Sequence, residues 1–118
     1  MLSLDDAWQK ALPYIMAALK HSGNMHTPAE VYQRIEQGRA ELHLGNQSAV
    51  VTQSLSNGKH LHFWLAGGDL TELKEFERDV TNVAKARGFE RVIIAGRRGW
   101  LRELENYEEA ATIMVKKL

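Results

Sequence analysis

Apolar residues recur at two different periods along the chain, and the changes between them set its organisation. Leu4, Trp8, Leu12, Ile15 and Leu19 fall at helical spacing, with Ala7, Ala11 and Ala18 beside them, which predicts a first helix from Ser3 to about Ser22. Ser3, Asp5 and Asp6 suit its start, and His21-Ser22-Gly23-Asn24 its stop. Pro13 inside this pattern predicts a kink or a split, because proline removes a backbone donor. Thr27-Pro28-Ala29-Glu30 predicts a second helix start: a capping threonine, a proline at the first helical position and an acid that reaches back to the cap. That short helix carries Val31, Tyr32 and Ile35 on one face and stops at Gly38.

From Ala40 to Ala66 the period falls to two. The pattern predicts strands over Ala40–Leu44, Ser48–Leu55 and Lys59–Ala66, separated by turns at Gly45-Asn46 and Ser56-Asn57-Gly58. Short turns between neighbours make these an antiparallel meander. In the third strand, alternation places Leu61, Phe63 and Leu65 on one face and His60, His62 and Trp64 on the other.

Helical spacing returns after Gly67-Gly68-Asp69. Asp69 and Glu72 repeat the cap-and-acid pattern, and Leu70, Leu73, Phe76, Val80, Val83 and Ala84 form the apolar stripe of a third helix that ends at Gly88. Val92-Ile93-Ile94-Ala95 between charged flanks predicts a strand covered on both faces, over Arg91–Ala95. Strand, helix and strand over Leu61–Gly96 therefore predict a parallel pair. A loop at Gly96-Arg97-Arg98-Gly99, at most a short helix over Trp100–Leu104 and a last strand over Ala110–Val115 complete the order α-α-β-β-β-α-β-α-β. The expected fold is α+β: a mixed sheet of about five strands with helices on its faces, in one domain spanning 1–118.

That order resembles the GNAT-type N-acetyltransferase fold over nearly the whole chain. A narrower resemblance is to small GNAT-like proteins of tailed phages. It rests on HFWLAGGDLTEL at 62–73 and AKARGFERVIIAGRRGWLREL at 84–104, with the Gly96-Arg97, Gly99-Trp100 and Arg102 spacing as its most specific part. This resemblance implies a phage protein encoded among head and tail genes, a virion or assembly component acting through protein contacts. The host cytoplasm or the virion is the location it implies. Active GNAT enzymes bind acetyl-CoA at the turn before the long helix, through Gln or Arg, two residues, Gly, any residue, then Gly or Ala. Here that turn reads Gly67-Gly68-Asp69-Leu70-Thr71-Glu72, without the initial Gln or Arg and without the second spaced small residue.

Charge bears on that turn directly. Glycines before a helix N-terminus form a phosphate cradle in many proteins. Here Asp69 and Glu72 put carboxylates where the phosphates would sit, and no Lys or Arg occurs between Leu61 and Leu73. A carboxylate about 6 Å from a phosphate charge costs about 3 kcal/mol at an effective dielectric of about 20. Gly67 and Gly68 are thus the only candidate cofactor residues, for acetyl-CoA, and the expectation is that no cofactor binds. Over the whole chain, 15 basic residues balance 15 acidic ones, which removes the general field that draws nucleic acid or an anionic membrane. Cysteine is absent, which excludes disulfides and zinc–thiolate sites. No apolar run reaches membrane-span length, and the start lacks a signal-peptide pattern.

Four residues of the loop near the end form the candidate partner surface. Arg97, Arg98 and Arg102 suit an acidic protein surface, a phosphate or a nucleic-acid backbone, while Trp100 suits either a contact or a plug in the core. Tyr14, Met16, Trp8 and Tyr32 hint at an oligomer or partner contact on the first two helices. Glu41 as base and Tyr107 as acid are the catalytic candidates that the GNAT resemblance implies. His43, His60 and His62 lack a third or fourth ligand at metal spacing, so no metal is expected. The functional expectation is a non-enzymatic protein that works through protein contacts; an acetyl-CoA-dependent N-acetyltransferase and a nucleic-acid accessory protein using Gly96–Arg102 are the alternatives.

Overall fold

The structure is a computed structural model and describes residues 3–21, 26–55 and 58–94. Three helices, α1 (Leu4–His21), α2 (Pro28–Glu36) and α3 (Leu70–Ala86), flank four strands, β1 (Ala40–Leu44), β2 (Ser48–Leu55), β3 (His60–Gly68) and β4 (Arg91–Ile94). The strands lie in the order β1-β2-β3-β4, antiparallel through the meander and parallel between β3 and β4. The mixed α+β class, the meander and the parallel pair follow the sequence pattern. Among the described residues the sheet has four strands; the helix expected over 100–104 and the strand over 110–115 lie outside them.

The sheet is covered on both sides. Trp8, Ala11, Ile15, Ala18 and Leu19 of α1 and Val31 of α2 meet Ala40, Ala49, Val51 and Leu65 on one face. On the other, Leu73, Phe76 and Val80 of α3 meet Val50, Phe63, Val92 and Ile94. Central strand β2 is therefore apolar toward both layers, with Ala49, Val50 and Val51 at most 1% exposed. Full burial contributes roughly 1.5–3 kcal/mol for each valine and less for the alanine, offset in part by lost entropy.

Helix ends follow the local signals. Thr27 accepts from the Glu30 amide at 3.2 Å, which caps α2, while the Glu30 carboxylate meets His26. At the end of α3, Gly88 takes φ +88°, while its amide bonds Lys85 and that of Phe89 bonds Ala84. This paired closure needs a left-handed residue, which glycine supplies without a Cβ penalty.

Three sequence expectations are corrected. α1 runs through Pro13 as one helix rather than two, because the apolar stripe on both sides of the proline is seated on the sheet while Pro13 itself faces outward. Leu70 and Val83 are exposed, at 43% and 49%, so the buried stripe of α3 narrows to Leu73, Phe76, Val80 and Ala84. The third correction lies in β3. Val51 pairs with Leu65 but Thr52 with Phe63, leaving Trp64 as an extra residue. Such a bulge reverses which face each later residue takes. Phe63 consequently joins the α3 layer and Leu65 the α1 layer, where simple alternation would put both on one face.

Candidate functional site

At the junction between β3 and α3, where the sequence sets a phosphate cradle against a capped tight turn, protein atoms pack against both glycines. A Cβ built on Gly67 would lie 3.0 Å from the Tyr14 carbonyl carbon and closer still to its oxygen, so α1 backbone rests directly on this glycine. Gly68 has φ +113°, and a Cβ there would lie 2.5 Å from Ser48 Cα. Asp69 caps α3, accepting from the Glu72 amide at 3.0 Å, and its own amide donates to the Gln47 carbonyl at 2.9 Å.

Glu72 departs from the capping-box expectation. Its carboxylate turns toward the β1–β2 turn, accepting from the Gln47 amide at 3.1 and 3.0 Å and from the Ser48 hydroxyl at 2.6 Å. Ser48 is 0% exposed, so this bond satisfies a hydroxyl that water does not reach. Gly45 makes room: a Cβ on it would collide with the Glu72 carboxylate and lie 2.7 Å from the Ser48 hydroxyl. Gly45, Gln47, Ser48, Gly68, Asp69 and Glu72 thus form one clasp between two distant turns.

A second cluster occupies the opposite side of the sheet, around the bulge. Arg34 stacks over the Trp64 ring with its Cζ 4.5 Å from the ring centroid, and its Nη1 donates to Gln53 Oε1 at 3.4 Å. Gln53 Nε2 then donates to His62 Nδ1 at 3.1 Å. His26 meets the Trp64 edge at 5.2 Å and bonds Glu30 at 3.0 Å, which holds the Glu30 carboxyl below its usual range. The chain from Arg34 assigns the acceptor role to His62 Nδ1, so the proton of the neutral ring belongs on Nε2. That Nε2 is buried and has no hydrogen-bond partner among the described residues. Arg34 and Gln53 carried no signal in the sequence, because the contacts that align them join α2, β2 and the bulged strand.

The histidines do not converge. His60 and His62 share the α1/α2 side of β3, whereas His43 lies on the α3 side, bonded to Thr52 at 3.0 Å and tilted against Phe76 at 6.3 Å. Among the described residues no group of three or more His, Asp or Glu could hold a metal. Burial lowers the pKa of His62, and burial lowers that of His43 against the opposing pull of Glu41. In the unfolded chain both rings take their ordinary value of 6.5. The unfolded state therefore binds more protons just below that value, and the stability held by the neutral rings is present above pH ~6.5 and declines as pH falls through the lowered folded values. Urea midpoints should fall between pH 7.5 and pH 5.5, and His62→Gln should flatten that dependence.

Other sequence candidates stand apart. Glu41 sits on the outermost strand, its side chain 64% exposed, with Arg87 Nη1 4.0 Å away. Tyr32 donates to Asp5, which pushes its pKa up to about 12, and packs edge-on against Trp8 at 5.4 Å. Arg97, Arg98, Trp100, Arg102 and Tyr107 lie outside the described residues. Among the described residues no helix is long and apolar enough to cross a membrane. Comparison with protein-family models, with curated proteins and with solved structures finds no match.

Proposed function

We propose that this chain is a non-enzymatic protein that acts through protein–protein contacts, with a GNAT-like arrangement of elements and no acetyl-CoA chemistry. The observation that supports this reading most is the filled β3–α3 junction. A cradle needs free backbone donors and open space at its glycines. At Gly67 and Gly68 that space holds α1 backbone and the β1–β2 turn, and Asp69 and Glu72 add two carboxylates beside it.

The biological setting carried by this proposal is a small phage-type protein that serves as a virion or assembly component, or as a modulator of a host protein. Its partner surface is the Gly96–Arg102 loop, where Arg97, Arg98 and Arg102 offer bidentate donors and Trp100 an anchor. Titration calorimetry of the full chain with acetyl-CoA tests the reading. No binding heat is expected. Micromolar binding, followed by acetyl transfer to an amine seen by mass spectrometry, would establish the N-acetyltransferase instead. Steeply salt-dependent affinity for nucleic acid, lost in Arg97→Ala/Arg98→Ala, would establish the accessory-protein alternative.

A further inference from the structure

We propose that two copies of this chain pair their β1 strands antiparallel about a two-fold axis at Leu42, joining two four-stranded sheets into one. The proposal uses residues of β1 and does not rest on the Gly96–Arg102 reading. β1 is the first strand of the sheet order, and one of its edges has no partner strand among the described residues. An open groove beside it is lined by Ala40, Glu41, Leu42, His43 and Leu44 in succession, together with residues of α1 and α2. Successive strand residues point to opposite faces. A groove that touches all five runs along the strand's edge, the shape that an added strand fills.

Hydrogen-bond parity identifies what that edge offers. The Gly45 amide donates to the Ser48 carbonyl at 2.9 Å, and the register continues through His43 with Val50 and Glu41 with Thr52. These odd-numbered residues exchange bonds with β2, so the amides and carbonyls of Ala40, Leu42 and Leu44 point outward. Natural edges are protected by proline, charged side chains, a bulge or a cover. β1 has no proline, its pairing with β2 shows no register shift, and its one residue of the Asp, Glu, Lys and Arg types is Glu41.

The edge is complementary to itself. Antiparallel pairing about Leu42 sets Leu42 against the second copy's Leu42 and Ala40 against the second copy's Leu44, with each pair exchanging both main-chain bonds. On the α1/α2 side these apolar side chains continue the core cluster to which Ala40, Leu42 and Leu44 already belong. On the α3 side Glu41 faces the second copy's His43, a carboxylate opposite an imidazole rather than like against like. A two-fold interface must match itself in this way, and a foreign strand carries no such requirement.

Sedimentation velocity of the full chain should give a mass twice the 13.4 kDa of one copy, dissociating on dilution. Leu42→Pro removes an amide that the β1–β2 ladder does not use, and should return the monomer with its circular dichroism retained. Because the chain has no cysteine, a single introduced thiol reads the geometry without background. Leu42→Cys places two thiols on a closely spaced pair about 5.5 Å apart at Cα, within disulfide reach, and should convert to a cross-linked dimer on oxidation. Glu41→Cys places them on a diagonal about 7–8 Å apart and should stay uncross-linked. A monomeric wild-type mass at every concentration overturns the proposal, including the case in which the monomer takes up an added strand-forming peptide instead. So does a dimer in which Glu41→Cys cross-links as readily as Leu42→Cys.

Discussion

Gly67→Ala should destabilise the protein by about 3 kcal/mol or more, read as a lower urea midpoint with an unchanged slope. Overpacking of a filled site typically costs about 1–3 kcal/mol, and the higher end applies when the neighbour cannot move aside. Here the neighbour is the Tyr14 backbone, inside a helix of 18 residues fixed to the sheet by Ala11, Ile15 and Ala18. No positive φ contributes at Gly67, so the whole cost is steric. Gly88→Ala provides the contrast: its φ of +88° is strained for alanine, yet no atom lies within 4 Å of the added Cβ. That substitution should cost only about 1–2 kcal/mol. If Gly67 served a phosphate rather than α1, its alanine variant would keep stability and lose only ligand. Wild-type stability in Gly67→Ala therefore counts against the seating of α1 described above.

Glu72→Ala should cost about 2 kcal/mol. The substitution leaves the fully buried Ser48 hydroxyl without its acceptor, an unsatisfied buried donor costing about 1–3 kcal/mol, and also removes the acceptor of the exposed Gln47 amide, which water can replace at a smaller cost. Glu72→Gln keeps one carbonyl oxygen and should lose roughly half as much. A double-mutant cycle with Ser48→Ala isolates the pair, and a coupling above about 1 kcal/mol is expected for groups in direct contact. Additive effects would mean that Glu72 acts only as an acidic residue near the start of α3. The clasp also bears on function, since it ties the β3–α3 junction to the β1–β2 turn and spends the carboxylate on the protein itself.

Local signals in the chain were legible where the energy that fixes an element is itself local. Thr27-Pro28-Ala29-Glu30 specifies a helix start through backbone donors within one turn, and the structure has it there. The period of two from Ala40 onward predicts three strands with bounds that agree to within a residue or two at either end. The parallel return of Arg91–Ile94 follows from the length of the intervening helix. What stayed hidden depends on partners far away in sequence. The bulge at Trp64 is set by pairing with β2 across the hairpin, which alternation along β3 alone does not reveal. Glu72 reads as a capping-box acid until Gly45 and Ser48 are brought beside it.

The candidate site was read in the same mixed way. Gly67, Gly68, Asp69 and Glu72 stood out as a unit, and the competition between cradle and turn was visible in their charges. What fills the space over the glycines, Tyr14 and Gln47, became apparent only from the packing of α1 and the first hairpin. The Arg34–Gln53–His62 relay had no sequence signal, since each member is an ordinary polar residue until the sheet aligns them.

The β3–α3 junction is closed by the protein's own groups. Amide chemical shifts of the full chain, followed while acetyl-CoA is added, test it at the residues concerned. The Gln47, Gly67, Gly68, Asp69 and Glu72 amides are expected to stay in place at saturating ligand. Progressive, saturable shifts confined to those amides would contradict it and return the junction to the role of a phosphate cradle.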